Sequence, residues 1–276
     1  MLNELPRARR PLGVIGGLVS LVLLMLTGPA LADDPLRAAV DDPGRSATFV
    51  ARDGYRNPYE TLRFFGVQPH HTVVEISPGG GWYTEILAPY LRESGQLYAA
   101  HFDPDSAVTY YQRSRKNFLD KLAGDPARYD RVTVTAFAPP DLTDIAPAAS
   151  ADRVLTFRNV HNWYMRGKGE DTLNAAFAAF FRVLKPGGVL GVVEHRLPAD
   201  RPLADQDDSG YMREDVVIAA ARAAGFQLEA QSNINANPLD TADHPAGVWS
   251  LPPSLRGGED TAGHYLTIGE SDRMTL

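Results

Sequence analysis

From His71 onward the chain alternates short apolar runs with longer amphipathic stretches. Thr72-Val73-Val74-Glu75-Ile76, Gln96-Leu97-Tyr98-Ala99-Ala100, Val132-Thr133-Val134-Thr135-Ala136, Arg153-Val154-Leu155-Thr156-Phe157 and Val189 to Glu194 each read as a strand. Between them the pattern predicts a helix from Trp82 to Leu91, which Pro89 is expected to kink or shorten. A second runs from a cap at Asp105 to about Leu122, with Val108, Tyr111, Phe118 and Leu122 on its apolar side. A third runs from Glu170 to Leu184 and stops at Lys185-Pro186-Gly187-Gly188. Largely apolar strands separated by helices predict an α/β fold: a mostly parallel sheet with helices on both faces.

The flanks are less regular. Residues 33–70 read as a lead-in of short helices, broken at Asp42-Pro43-Gly44 and restarting after Asn57-Pro58. After the fifth strand, Arg213 to Ala224 is predicted helical, Gly225 stops it, and Phe226 to Ala230 is predicted to be a strand. Residues 233–263 turn polar and rich in Pro and Gly, too long for an ordinary loop, and read as a lid or irregular excursion. His264 to Ile268 is predicted as the closing strand and Gly269 to Leu276 as a tail. Ahead of all this, Arg7, Arg9 and Arg10 precede an uncharged stretch from Pro11 to Ala32 that ends in Ala30-Leu31-Ala32. That order reads as a secretory signal peptide over residues 1–32, with an uncleaved membrane anchor as the alternative. The expectation is therefore a periplasmic or secreted domain over residues 71–276, without membrane contact once the signal is removed.

Composition narrows the partners. The formal charge is −7, so a non-specific nucleic-acid surface is not expected. With no cysteine, disulfides, thiol nucleophiles and thiolate metal sites are excluded. The oligomeric state is not readable.

The densest chemical signal is Glu75-Ile76-Ser77-Pro78-Gly79-Gly80-Gly81, where the first strand enters its helix. Three glycines permit a tight turn and leave backbone bare to a ligand. The amides that follow can face a polar or anionic group, while Glu75 can accept hydrogen bonds. Thr84 stands where a dinucleotide fingerprint has its third glycine, and the Lys-Ser/Thr ending of a phosphate-binding loop is missing.

These residues resemble the class I S-adenosylmethionine-dependent methyltransferases, particularly an exported bacterial branch described as predicted methyltransferases. The family's Glu/Asp-x-Gly-x-Gly-x-Gly motif resembles Glu75-x-Ser77-x-Gly79-x-Gly81, and its Leu-Lys-Pro-Gly-Gly matches Leu184 to Gly188. Arg56-Asn57-Pro58, Glu60-Thr61-Leu62-x-Phe64-Phe65 and Tyr265-Leu266-Thr267-Ile268 extend the likeness over nearly the whole chain after residue 32. The resemblance implies a Rossmann-like sheet and S-adenosylmethionine as cofactor, held by Glu75, Ser77, Gly79, Gly80 and Gly81. Two departures stand out. Ser77 replaces the first glycine, a mild change if its backbone is ordinary. His101 falls where the family places a ribose-binding acid, and one imidazole cannot imitate a bidentate carboxylate. Asp103 or Asp105 can compensate.

Arg158-Asn159-Val160-His161-Asn162-Trp163-Tyr164 follows the fourth strand, on the ligand-bearing edge. His161 is the candidate base and Tyr164 a second catalytic candidate. Asn162 and Trp163 are expected to meet the substrate, with Tyr55 and Arg56 closing the pocket and Arg56 pairing with a substrate carboxylate. Glu194 and His195 end the fifth strand at the same edge, although neighbouring strand residues point to opposite faces. No His-Glu-x-x-His or comparable spacing supports a catalytic metal, and no Gly-x-Ser-x-Gly elbow supports a hydrolase. The reading is a methyltransferase acting on a small molecule. Its rivals are an exported ligand-binding protein that retains the fold, or another reaction in the same cleft.

Overall fold

The structure is a computed structural model that describes residues 1–2, 34–257 and 259–276. Of the predicted signal segment, residues 3–32 lie outside the described residues. Among the described residues no helix is long and apolar enough to cross a membrane.

The five predicted core strands form: β1 (Thr72–Ile76), β2 (Gln96–His101), β3 (Val132–Ala136), β4 (Ala151–Phe157) and β5 (Leu184–Leu197). A two-residue β6 (Met212–Arg213) and a short β7 (Arg273–Thr275) complete the sheet. The order is β3-β2-β1-β4-β5-β6, parallel throughout, with β7 antiparallel on β5. Strand order reverses between β1 and β4, so a crevice opens where their carboxyl ends diverge.

Alternation along the strands sends neighbouring residues to opposite faces, and each face is closed by helices. Val74, Ile76, Val154 and Val192 pack with Leu173, Phe177 and Phe180 of the helix Gly169–Val183 and Val217 of Glu214–Ala223. Val73, Leu155 and Val193 pack on the other side with Ile86 and Leu87 of Thr84–Leu91, and with Leu36 and Leu62 of the lead-in. Each such side chain, fully buried, contributes about 1.5–3 kcal/mol of transfer free energy. The lead-in is four short helices, Pro35–Val40, Ala47–Val50, Asp53–Arg56 and Pro58–Phe64. Asn57 takes the left-handed conformation between the last two, and its side-chain amide donates to the Ile234 carbonyl, tying the lead-in to the excursion.

Several expectations are corrected. Phe226 to Ala230 forms no strand; the residues that follow meet the sheet through an isolated bridge, Ser232 to Thr275, and through Asn235. The supposed tail supplies β7 instead, because Arg273, Met274 and Thr275 bury completely against β5 while Gln227 to Ala230 stay exposed. The expected closing strand is the end of a helix, Glu259–Ile268: between His264 and Ile268 Tyr265 is buried and Ile268 half-buried, a spacing of three that suits a helix. The helix expected to begin at a cap on Asp105 starts at Thr109 and runs to Gly124, and Val108 is exposed rather than packed. Asp105 sits in the preceding turn, where its amide donates to Asp103. Finally, Lys185 to Gly188 lies inside β5, where the register to β4 shifts between Ala151 and Arg153.

Candidate functional site

The glycine turn crosses the carboxyl end of β1. Ser77 donates its amide to the Ala100 carbonyl on β2 at 2.8 Å. It carries φ 46°, so the replacement of glycine is not conformationally mild: a side chain is held in the left-handed region. Gly79 (φ 59°) has open space where a Cβ would stand, whereas a Cβ on Gly81 (φ 84°) would press on Phe118 at 3.2 Å. Gly79 therefore keeps backbone bare toward the crevice, and Gly81 lets the turn lie down on the helix behind it. Glu75 is buried at the strand end and accepts from the Thr84 hydroxyl at 2.6 Å. Burial pushes its carboxyl up to about 7, against the hydrogen bond from Thr84 and the charge of Arg158.

His101 does not reach the crevice. The Phe102 amide donates to its Nδ1 at 2.8 Å, so the proton sits on Nε2, which donates to the Gly79 carbonyl at 3.0 Å. Burial holds the imidazole neutral, down at about 4. With both nitrogens occupied and the ring buried, His101 braces the turn from beneath and has nothing left for a ribose.

Two cavities flank the turn and meet at Ser77 and Asn159, which line both. The larger, about 340 Å³, lies over β1, β4 and β5 and is walled by Glu75, Gly79, Gly80, Arg56, Arg158 and His195. The smaller, about 110 Å³, lies over the ends of β2 and β3; Asp103, Phe102, Tyr111, Asn162 and Trp163 line it. Phe102 and Tyr111 are stacked there, with centroids 4.2 Å apart. A planar ring and a hydroxyl-bearing group suit this smaller cavity, with Asp103 as the carboxylate within it.

On the β4–β5 side the wall is a charged network. Glu270 is buried and pairs with Arg52 (2.6 Å), Arg56 (3.2 Å) and Arg273 (3.3 Å). Burial alone would raise its carboxyl, but the charges of Arg56, Arg273, Arg158 and Arg52 outweigh that and hold it at about 2. Arg158 follows β4 with φ 61°, another side chain in the left-handed region, and its amide donates to the Val193 carbonyl at 2.6 Å.

Behind this network lies a second one. Glu194, fully buried, accepts from the amides of Val160 and His195, the latter at 2.8 Å, and lies 2.9 Å from His161 Nδ1. With its carboxylate facing Nδ1, His161 carries its proton there and keeps Nε2 as the basic atom. His161 itself is buried behind the cavity wall; the imidazole on the wall is His195, whose Nδ1 lies 2.5 Å from the Ser271 hydroxyl. The two rings are 5.4 Å apart. Burial, then the charges of His161, Arg158, Arg273 and Arg56, hold His195 well below its ordinary value and so neutral. The ligand atoms of His161, Glu194 and His195 lie within 4.8 Å of one another, close enough to converge on a metal ion. Glu194 is already engaged by three N–H groups, and the nearby arginines oppose a cation, so a Glu194–His161 hydrogen-bonded pair with the His195 ring beside it is the better description.

The helix-flanked sheet, its reversal point and its antiparallel last strand form one recognisable architecture. The fold is that of the class I methyltransferases. An S-adenosylmethionine-dependent methyltransferase from Aquifex aeolicus matches with a TM-score of 0.52 at 18% identity, over 73% of this chain and 93% of that one. The [4+2]-cyclase SpnF matches with a TM-score of 0.50 at 17% identity, over 72% of this chain and 70% of that one. No family model matches the sequence, and no curated protein does. At these identities the likeness establishes the fold.

Of the residues singled out in the sequence, Glu75, Ser77, Gly79, Gly80 and Arg56 meet at the larger cavity, and Asn162 and Trp163 at the smaller. Gly81 and His101 support the turn. Tyr164 packs on the core beneath the sheet edge rather than on either cavity wall. Tyr55 is exposed and lies against Gly269, where a Cβ would meet its ring at 2.7 Å. Sequence reasoning missed Arg52, Trp249, Glu270 and Ser271, all on the larger cavity's wall. They come from the lead-in, the excursion and the supposed tail, and no local motif marks them. The excursion is a fixed wall: Tyr211 donates to Asp240 at 3.0 Å, His244 lies 2.9 Å from the same carboxylate, and Tyr211, Ala242 and Val248 form a small core of their own with Leu197.

Proposed function

We propose that this protein is a methyltransferase that uses S-adenosylmethionine to methylate a small molecule. The observation that carries the reading is Gly79: bare backbone at the carboxyl end of β1, with no atom other than its chain neighbours within 4 Å of the Cβ position, opening on a cavity beside a buried acid. The residues present fit the cofactor. Glu75 would hold a cationic or hydroxyl group, the backbone at Gly79 and Gly80 would lie against the chain of the donor, and Asp103 with the Phe102–Tyr111 stack would receive its ribose and base. When bound, the cofactor supplies an electrophilic methyl group. The chain's own part is to align an acceptor and keep water out, which accounts for much of the catalysis such a transfer needs. Glu194 fixes the His161 ring, and His195 stands between His161 and the cavity. A proton leaving the acceptor would thus pass to the His195–His161 pair, with His161 as the terminal base. Arg56 is the substrate-facing cation, with Asn162 and Trp163 at the second cavity. Residues 1–32 would direct the domain out of the cytoplasm, which mass measurement and fractionation of the expressed chain would test.

Calorimetry on the domain tests the donor reading. Saturable binding of S-adenosylmethionine or S-adenosylhomocysteine is expected; a folded sample that binds neither at millimolar concentration rejects it. His161→Ala should depress transfer of labelled methyl into a small-molecule extract by about a hundredfold or more while leaving donor affinity nearly unchanged. Equal loss of both would move His161 out of the base role. A second reading, a binding protein that retains the fold, draws on His101, whose engagement in the turn removes the expected ribose contact. Donor binding without any transfer would favour it.

A further inference from the structure

Three of the four arginines around Glu270 pair with it, and the fourth does not. Among the described residues the Arg158 side chain has no hydrogen-bond or ion-pair partner within the protein, although it lines the 340 Å³ cavity together with Arg52 and Arg56. Its backbone is held at φ 61°, a conformation that costs about 1–2 kcal/mol for a residue with a Cβ. Nearby, Arg273 is fully buried and its Nη1 has no partner either. The local charge is therefore positive in a chain whose formal charge is −7. Burying guanidinium groups beyond what one carboxylate can neutralise is costly unless a further anion completes the set.

We propose that the cavity beside Arg158 is an oxyanion subsite, and that the methyl acceptor is a molecule bearing a carboxylate or phosphate. Arg158 supplies the open fork of donors, matched to a planar or tetrahedral oxyanion, and Arg52 and Arg56, which line the same cavity, add charge. Glu270 sets the positions of Arg52 and Arg56 and prevents the cluster from flying apart while the subsite is empty of anion. The anionic group is the handle by which the acceptor is oriented; the reacting atom is a different part of the same molecule. The inference rests on the methyl-transfer reading only for the word acceptor, since the subsite itself follows from the arginines.

A carboxylate also belongs to the methyl donor, so the test must separate the two sources. Binding of inorganic phosphate and of benzoate would be measured by calorimetry at constant ionic strength, with and without saturating S-adenosylhomocysteine. The expected result is saturable binding of at least one anion in both conditions, weakened about tenfold or more by Arg158→Gln and less by Arg52→Gln, with S-adenosylhomocysteine affinity changed little. Anion binding that disappears once S-adenosylhomocysteine is bound, with Arg158→Gln weakening that ligand equally, would assign the arginines to the donor and overturn the proposal. Absence of anion binding to the folded wild-type protein would overturn it too. Anion binding to a protein that ignores S-adenosylhomocysteine would uphold the subsite while removing the methyl-transfer reading.

Discussion

Across the crevice, two walls face each other that are made in different ways. On the β1 side the surface is backbone: a turn of Ser77 to Gly81 whose shape is set by a few φ angles and braced by His101 from below. On the β4–β5 side it is side chain: Arg52, Arg56, Arg158, His195 and Glu270, brought from parts of the chain as far apart as residues 52 and 270. The first wall is local and shaped by sterics. The second is non-local and shaped by charge. A backbone wall can fit the shared part of many ligands, while a side-chain wall can be rewritten to choose among them; fold likeness therefore speaks to the first and is silent on the second.

The largest effect should come from the charged wall. Glu270→Ala leaves Arg52, Arg56 and Arg273 without their common partner and should cost about 3–5 kcal/mol in denaturant unfolding. A loss under about 1 kcal/mol would show that solvent already screens the cluster, and that the walls differ less than their geometry implies. The backbone wall is tested by Gly79→Trp, which fills open space without touching the core and costs about 1–2 kcal/mol of backbone strain at φ 59°. It should weaken S-adenosylhomocysteine by about a hundredfold, roughly 2.7 kcal/mol, with the circular dichroism of the sheet unchanged. Unaltered affinity would place the donor elsewhere.

A third prediction joins the walls through Glu75. Its carboxyl lies at about 7 in the folded chain against an ordinary 4.5, so folding loses stability as pH rises from 4.5 toward 7, and the loss is complete above that. Glu75→Gln should therefore melt higher than the wild type at pH 8, by about 2–3 kcal/mol of stability, and show little gain below pH 4.5. A gain independent of pH would mean that Glu75 is not held protonated by burial. The smallest effect is expected at Ser77. Ser77→Gly relieves a left-handed side chain and should stabilise the protein by about 0.5–1 kcal/mol, with donor affinity retained.

Local sequence was enough to specify the inner sheet and the first wall. Five strands, the helices between them and the glycine turn were legible because each is encoded by residues close together: apolar runs of strand length, helical spacing, and glycines where only a bare backbone can turn. Glu75 and Gly79 could be read from the same few residues. Packing in three dimensions settled the rest. Whether His101 faced a ligand or the turn depended on where the Gly79 carbonyl came to lie, and whether residues 264–268 or 273–275 joined the sheet depended on which segment could bury against β5. The second wall had no local signature, because the partners of an ion pair answer to distance in space: Glu270 and Arg56 lie 3.2 Å apart and yet stand more than two hundred positions apart in the chain.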